Sequence, residues 1–206
     1  MDFSVNGFIG KSKQCLSQSN VHGDREMRMA FEIILIIVAV VVIAIVLSIV
    51  VSGLNVSAYA ATSFKTLAPF GASVGNALVV YDPGLSGKAK GFAGKVASDL
   101  QGKGYTVTLA GIKSSAASHA SNYSVIVVGG PIYGGKPTVS VRDTVDKLSM
   151  SSGAKLGLFG TGWFPQVTVD MIRKAVTVPS NTVIVKVNRG EDVNAKASDF
   201  VNQLLS

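Results

Sequence analysis

Cysteine is nearly absent: Cys15 is the only one in 206 residues. A single thiol closes no internal disulfide and builds no multi-cysteine metal or iron–sulfur site. Histidine is as scarce, with only His22 and His119, too few for a multi-histidine metal centre. Charge is sparse too. Charged residues make up 15% of the chain, against about a quarter in an ordinary soluble domain. What charge there is leans one way, with 19 Lys and Arg against 12 Asp and Glu, a formal net +7. Apolar residues fill the space, at 48% of the chain and a mean hydropathy of +0.41. Such a composition excludes a disordered polar chain. It also implies that part of the chain is solvated by something other than water.

That part is one run. Ile33–Val51 reads IILIIVAVVVIAIVLSIVV, with no charge and only Ser48 polar. A bilayer core about 30 Å thick takes roughly 20 helical residues, so residues 31–54 are expected to form a transmembrane helix. A buried helix of a soluble core would show a polar face, and none exists here. Ala58-Tyr59-Ala60 is an A-x-A pattern of the kind that ends a cleavable signal peptide, but the apolar run is longer than the usual 7–15 residues of such signals. A retained signal-anchor is therefore the expectation. Lys11, Lys13, Arg25 and Arg28 precede the span, whereas the first basic residues after it are Lys65 and Lys88. The positive-inside rule then puts the N-terminus in the cytoplasm and the C-terminal domain outside. Residues 1–30 read as a polar tail and 55–75 as a linker of small residues.

From residue 76 to 206 short β-branched runs alternate with helical segments. The runs are Ala77–Asp82, Tyr105–Leu109, Ser124–Val128, Lys155–Gly160 and Thr182–Val187. Runs this apolar suit strands buried on both faces of a parallel sheet. Lys88–Gln101 sets Phe92, Val96 and Leu100 on one helical face, and Thr138–Leu148 does the same with Val141, Val145 and Leu148. Val167–Val176 and Ala195–Leu205 are further helices, while the stretch after Leu109 is expected to be irregular. The fold class is α/β, a doubly wound five-stranded parallel sheet preceded by one transmembrane helix.

Ligands of such sheets bind outside the carboxyl ends of the strands, so the loops there carry the functional argument. The first, Tyr81-Asp82-Pro83-Gly84-Leu85-Ser86-Gly87-Lys88-Ala89, runs into a helix N-terminus, where free N–H groups and the dipole favour an anion. It reads equally as a tight turn with Ser86 as N-cap, and it has neither Walker A nor G-x-G-x-x-G spacing. The second, Gly129-Gly130-Pro131-Ile132-Tyr133-Gly134-Gly135-Lys136-Pro137, offers glycine peptides free to reorient and one aromatic face. The third, Gly160-Thr161-Gly162-Trp163-Phe164-Pro165, holds the only Trp. A packing role within the domain is the plainer alternative for both aromatics.

Three such loops on a five-strand sheet resemble flavodoxin over roughly residues 76–206. VVGGPIYGGKP is similar to that family's second loop, LFGTGW to its third, and YDPGLSG to the first-loop start of some flavodoxin-like proteins. The resemblance implies FMN as cofactor and electron transfer as activity, with no catalytic residue or metal needed. It implies that Ser86, Gly87, Lys88 and Ala89 face the phosphate. Pro131, Tyr133 and Gly134 would lie along the flavin, as would Thr161, Gly162 and Trp163. The Gly134 carbonyl would meet the flavin N5–H in reduced states.

Two departures stand out. The family's phosphate loop usually ends in G-N-T or similar, and here the stretch is Gly87-Lys88-Ala89. Each hydrogen bond lost to a charged phosphate weakens binding by about 1.5–3 kcal/mol, offset in part by the Lys88 charge. Flavodoxins are also acidic, whereas residues 76–206 carry fourteen basic against eight acidic residues. The partners expected of a basic domain tethered to a bilayer are anionic membrane lipid and an acidic redox protein. Nucleic acid is not expected, because the basic residues are scattered and form no recognition motif. Two other functions compete: a flavin-dependent oxidoreductase acting on a quinone or porphyrinogen, and a flavin-free interaction module that keeps only the fold.

Overall fold

A computed structural model describes residue 25 and residues 27–49 and 61–206. The chain divides into two units, Met1–Leu54 and Asn55–Ser206. Most of the polar tail, the end of the apolar run, the Ala58-Tyr59-Ala60 pattern and the start of the linker lie outside the described residues.

In the first unit the apolar run is a single helix, α1, Met27–Ile49, of 23 residues, long and apolar enough to cross a membrane. Its side chains are exposed along the whole length. A helix apolar on every face has no side suited to water.

In the second unit the strands are β1 Phe64–Leu67, β2 Gly75–Tyr81, β3 Tyr105–Gly111, β4 Val125–Tyr133, β5 Lys136–Pro137, β6 Lys155–Gly162 and β7 Val183–Asn188. The helices are α2 Lys88–Gly102, α3 Val139–Asp146, α4 Val169–Lys174 and α5 Val193–Leu205. The sheet order is β1-β3-β2-β4-β6-β7, with β5 hairpinned onto β4. β3, β2, β4, β6 and β7 are mutually parallel. Counted along the chain these five run 2-1-3-4-5, the order of the flavodoxin-like doubly wound fold.

Why the strands are so apolar is visible in their burial. In β2, Ala77 and Val79 enter one core and Leu78 and Val80 the other. In β4, Val125 and Val127 face the first core and Ile126 and Val128 the second. Successive side chains of a strand point to opposite faces, so a strand covered on both faces has no position left for a polar residue. Phe92, Val96 and Leu100 of α2 and Phe200, Val201 and Leu204 of α5 close the first core. Val141 and Val145 of α3, with Ala120, close the second. Each such side chain stabilises the fold by about 1.5–3 kcal/mol through burial. β3 runs two residues past Leu109 to Gly111, and the rest of that stretch forms two short 3-10 turns, Ser115–Ser118 and Ala120–Asn122.

Two expectations need correction. The segment 55–75 is not all linker: Phe64–Leu67 is β1, an edge strand antiparallel to β3 with Phe64 opposite Ala110 and Leu67 opposite Val107. Its weak pattern follows from its place at the sheet edge, where the strand is mostly exposed. The second loop is also shorter than expected. β4 continues through Gly129-Gly130-Pro131-Ile132 to Tyr133 before turning, and β6 likewise runs on to Gly162.

Candidate functional site

β2 neighbours both β3 and β4, and the chain leaves β2 and β4 toward opposite faces of the sheet. This is the topological switch point, where the carboxyl ends of adjacent strands splay apart and leave a crevice. A cleft of about 550 Å³ opens there, within the range of small-molecule sites.

Its first side is the β2–α2 loop, which contributes Leu85, Ser86 and Lys88. α2 starts without a side-chain cap; Gly87 stands at the N-cap position with φ 68°. The Ser86 Oγ accepts from the Lys88 N–H at 3.4 Å, a long contact. α4 and α5 are capped by Thr168 and Asp192, whereas α3, like α2, has no side-chain cap. The first-turn N–H groups of a helix have no intrahelical acceptor, so an uncapped start at a cleft fits an anionic group. The loop is braced from behind. Asp82 accepts the Gly84 N–H at 3.1 Å and the Thr138 hydroxyl at 2.7 Å, tying the start of α3 to the end of β2.

The second side is the β4–β5 hairpin. Tyr133 pairs with Lys136, and the two residues between, Gly134 and Gly135, have φ 56° and 82°. A two-residue hairpin of the I′ class needs positive φ at both central positions, which glycine adopts without a Cβ clash. Pro131, Ile132, Tyr133 and Gly134 line the cleft. The Tyr133 hydroxyl accepts from the Leu85 N–H at 3.4 Å, linking this side to the first.

The third side is the end of β6 and the loop after it, with Thr161, Gly162, Trp163 and Phe164. The Lys186 ammonium donates to the Phe164 carbonyl at 2.5 Å, fixing that loop to β7. Burial pushes Lys186 below the usual lysine value, and the Glu191 carboxylate works against that shift. Glu191 is itself held below the usual carboxylate range. The backbone N–H of Asn188 is the main cause, and its side-chain amide adds to it.

Of the ten residues singled out from sequence, eight line this one cleft: Ser86, Lys88, Pro131, Tyr133, Gly134, Thr161, Gly162 and Trp163. Gly87 lines an adjoining hollow with Ser86 and Lys90. Ala89 turns its methyl group into the first core, so only its backbone N–H belongs to the loop end of α2. Sequence reasoning missed Leu85, Ile132, Phe164 and Arg189. Arg189 is the informative one: its guanidinium carbon lies 3.9 Å from the Trp163 ring centroid, a cation–π contact. The signal was its position just past the last parallel strand, a carboxyl-end loop like the other three.

No family model matches the chain, and no curated protein matches it. Solved structures do. The chain is similar to oxidised flavodoxin 2 from Bacillus cereus, with 17% identity over 63% of this chain and 97% of that one and a TM-score of 0.47. It is similar to a flavodoxin of Streptococcus pneumonia TIGR4 at 19% identity, over 63% and 97%, with a TM-score of 0.45. An apo NADH:FMN oxidoreductase matches at 12% identity, over 63% and 88%, with a TM-score of 0.48. By its own strand order and parallel crossovers, the domain at the C-terminal side of α1 has the flavodoxin-like fold.

Proposed function

We propose that this chain is a membrane-anchored flavin protein that holds FMN in the cleft and transfers electrons. The observation that carries the reading is the convergence of three loops at the switch point, with Tyr133 and Trp163 on one cleft and the uncapped start of α2 at its side. Ser86, Lys88 and the first N–H groups of α2 would take the phosphate. Pro131, Tyr133, Gly134 and Trp163 would take the ring system. Bound FMN supplies the redox chemistry, accepting and passing one or two electrons. The residues lining the cleft include hydroxyls and two cations, which suit the phosphate and polar edge of the cofactor. α1 supports the anchoring, and the basic residues before it favour a domain outside the cytoplasm.

Titration of FMN into the detergent-solubilised chain, followed by flavin fluorescence, tests the reading. Quenching and a bound-flavin absorption band are expected. Tyr133→Ala and Trp163→Ala are each expected to weaken binding by about 1–3 kcal/mol, the scale of aromatic stacking on a planar ring. No quenching removes the proposal, and unchanged affinity in both variants removes the clamp.

A further inference from the structure

The rim of the cleft has a property that flavin binding alone does not require. Leu85, Tyr133, Trp163 and Phe164 are 55%, 48%, 66% and 59% exposed. Phe92, Phe159 and Phe200 of this unit are buried in the first core, and Phe64 and Phe70 are exposed but line no part of the cleft. A cluster of half-exposed apolar side chains at one mouth marks an interaction surface, and Tyr and Trp suit an interface that is apolar on one side and wet on the other.

The charge around the mouth is positive. Lys88 and Arg189 line the cleft. Lys136 is exposed beside the hairpin turn, and Lys90 is exposed in the adjoining hollow. Two acids of this edge are engaged inward. Asp82 is taken by Gly84 and Thr138, and Glu191 by Asn188 and Lys196. Asp170, exposed on the first turn of α4, and Asp192, the exposed N-cap of α5, each subtract one charge.

The third observation is where the chain enters the domain. β1 is antiparallel to the rest, so its beginning lies at the carboxyl ends of the parallel strands, the edge that carries the cleft. There the Ser63 carbonyl accepts the Gly111 N–H at 2.9 Å and the Ala61 carbonyl accepts the Lys113 N–H at 3.0 Å. A Cβ at Gly111 would fall 2.2 Å from the Ala61 oxygen, so glycine admits the incoming chain. Ala61, Thr62 and Ser63 share their hollow with Leu85 and Ser86, which also line the cleft. Residues 50–60 are all that separate α1 from Ala61. At about 3.6 Å per residue they reach at most about 40 Å.

We propose that the mouth of the cleft docks on an anionic lipid surface, with Leu85, Tyr133, Trp163 and Phe164 in the interface and Lys88, Lys90, Lys136 and Arg189 facing the headgroups. This rests on the reading of α1 as a membrane span and names the partner of the cleft. Short tethering keeps the effective concentration of that surface high, and lysines and arginines close to a bilayer surface are attracted to anionic headgroups wherever these are present. The redox partners admitted by such a cleft are those dissolved in the membrane or lying on it.

Trp163 is the only tryptophan of the chain and therefore reports on its own position. The full chain is reconstituted in phosphatidylcholine vesicles with phosphatidylglycerol added, made with plain or acyl-brominated lipid. Emission of Trp163 is expected to shift blue and to be quenched by the brominated lipid, less so without phosphatidylglycerol or at high salt. Lys90→Gln with Lys136→Gln leaves the cleft lining intact and is expected to weaken docking roughly fivefold per lysine. Equal emission in plain and brominated vesicles overturns the proposal. FMN affinity measured on the same vesicles reads the flavin proposal separately. Lipid quenching without FMN binding supports docking and removes the flavin, and FMN binding without lipid quenching does the reverse.

Discussion

α1 and the strands β2 and β4 are built from the same aliphatic residues, and their surroundings are opposite. Ile33, Val40, Ile43 and Leu47 of α1 are half exposed or more, whereas Leu78, Val79, Val80 and Ile126 are fully buried. Length separates them. β2 has 7 residues and β4 has 9, short enough for one layer of helices on each face to cover. α1 has 23, and no element of its own unit covers it among the described residues. Hydropathy alone therefore does not say where a segment belongs. The same residues build a core when the run is short and punctuated by Gly and Pro, and seek a lipid solvent when it is long and uninterrupted.

The contrast breaks most visibly in the sheet's own core. Phe92 is fully buried and stacks at tilted angles on Phe159 and Phe200, with centroids 5.0 and 6.1 Å apart. Phe92→Ala is expected to destabilise the domain by about 3–5 kcal/mol, read as a lower urea midpoint. A charge in α1 gives the converse. Val41→Arg near the middle of that helix is expected to disfavour membrane insertion by about 2.5–3.5 kcal/mol, read as chain lost from the membrane fraction. The urea midpoint of the α/β unit is expected to stay where it was. A shift in both properties would mean the two apolar regions are one cooperative unit.

The smallest effect sharpens the comparison within the domain. Glu191 has its folded value lowered, chiefly by the Asn188 N–H. Its contribution to stability is present above the ordinary carboxylate value and is lost as pH falls through the lowered one. Glu191→Gln is expected to flatten that part of the stability–pH curve by lowering stability at neutral pH while leaving low-pH stability nearly the same. A curve of unchanged slope would show that the β7–α5 turn does not depend on this carboxylate.

The helices were legible where their periodicity was sustained. Lys88–Gln101 became α2 with one residue added, because Phe92, Val96 and Leu100 repeat on one face. Two shorter segments lost their ends, Thr138–Leu148 becoming Val139–Asp146 and Val167–Val176 becoming Val169–Lys174, since a short helix is held by packing rather than propensity. Ala195–Leu205 instead gained a start at Val193, where Asp192 caps it. The end of β4 was hidden because Gly129, Gly130 and Pro131 carry turn signals, yet β6 pairs with all three and keeps them extended. β1 was hidden because an edge strand has little apolar pattern to show.

The sequence by itself determined the elements of this protein: one uninterrupted apolar helix, five apolar strands, the helices between them, and three loops rich in glycine, hydroxyl and aromatic residues. Those follow from local rules of period, length and turn chemistry. The tertiary structure decided everything that depends on which strands become neighbours. Strand order put β2 beside β4, and with it Ser86, Tyr133 and Trp163 on one cleft. It brought Arg189 over Trp163 and Thr138 against Asp82, a pair 56 residues apart. It also turned β1 so that the chain enters at the cleft edge. Pairing of this kind is set by burying both faces of the sheet at once, a condition on the whole domain that no single stretch of sequence records.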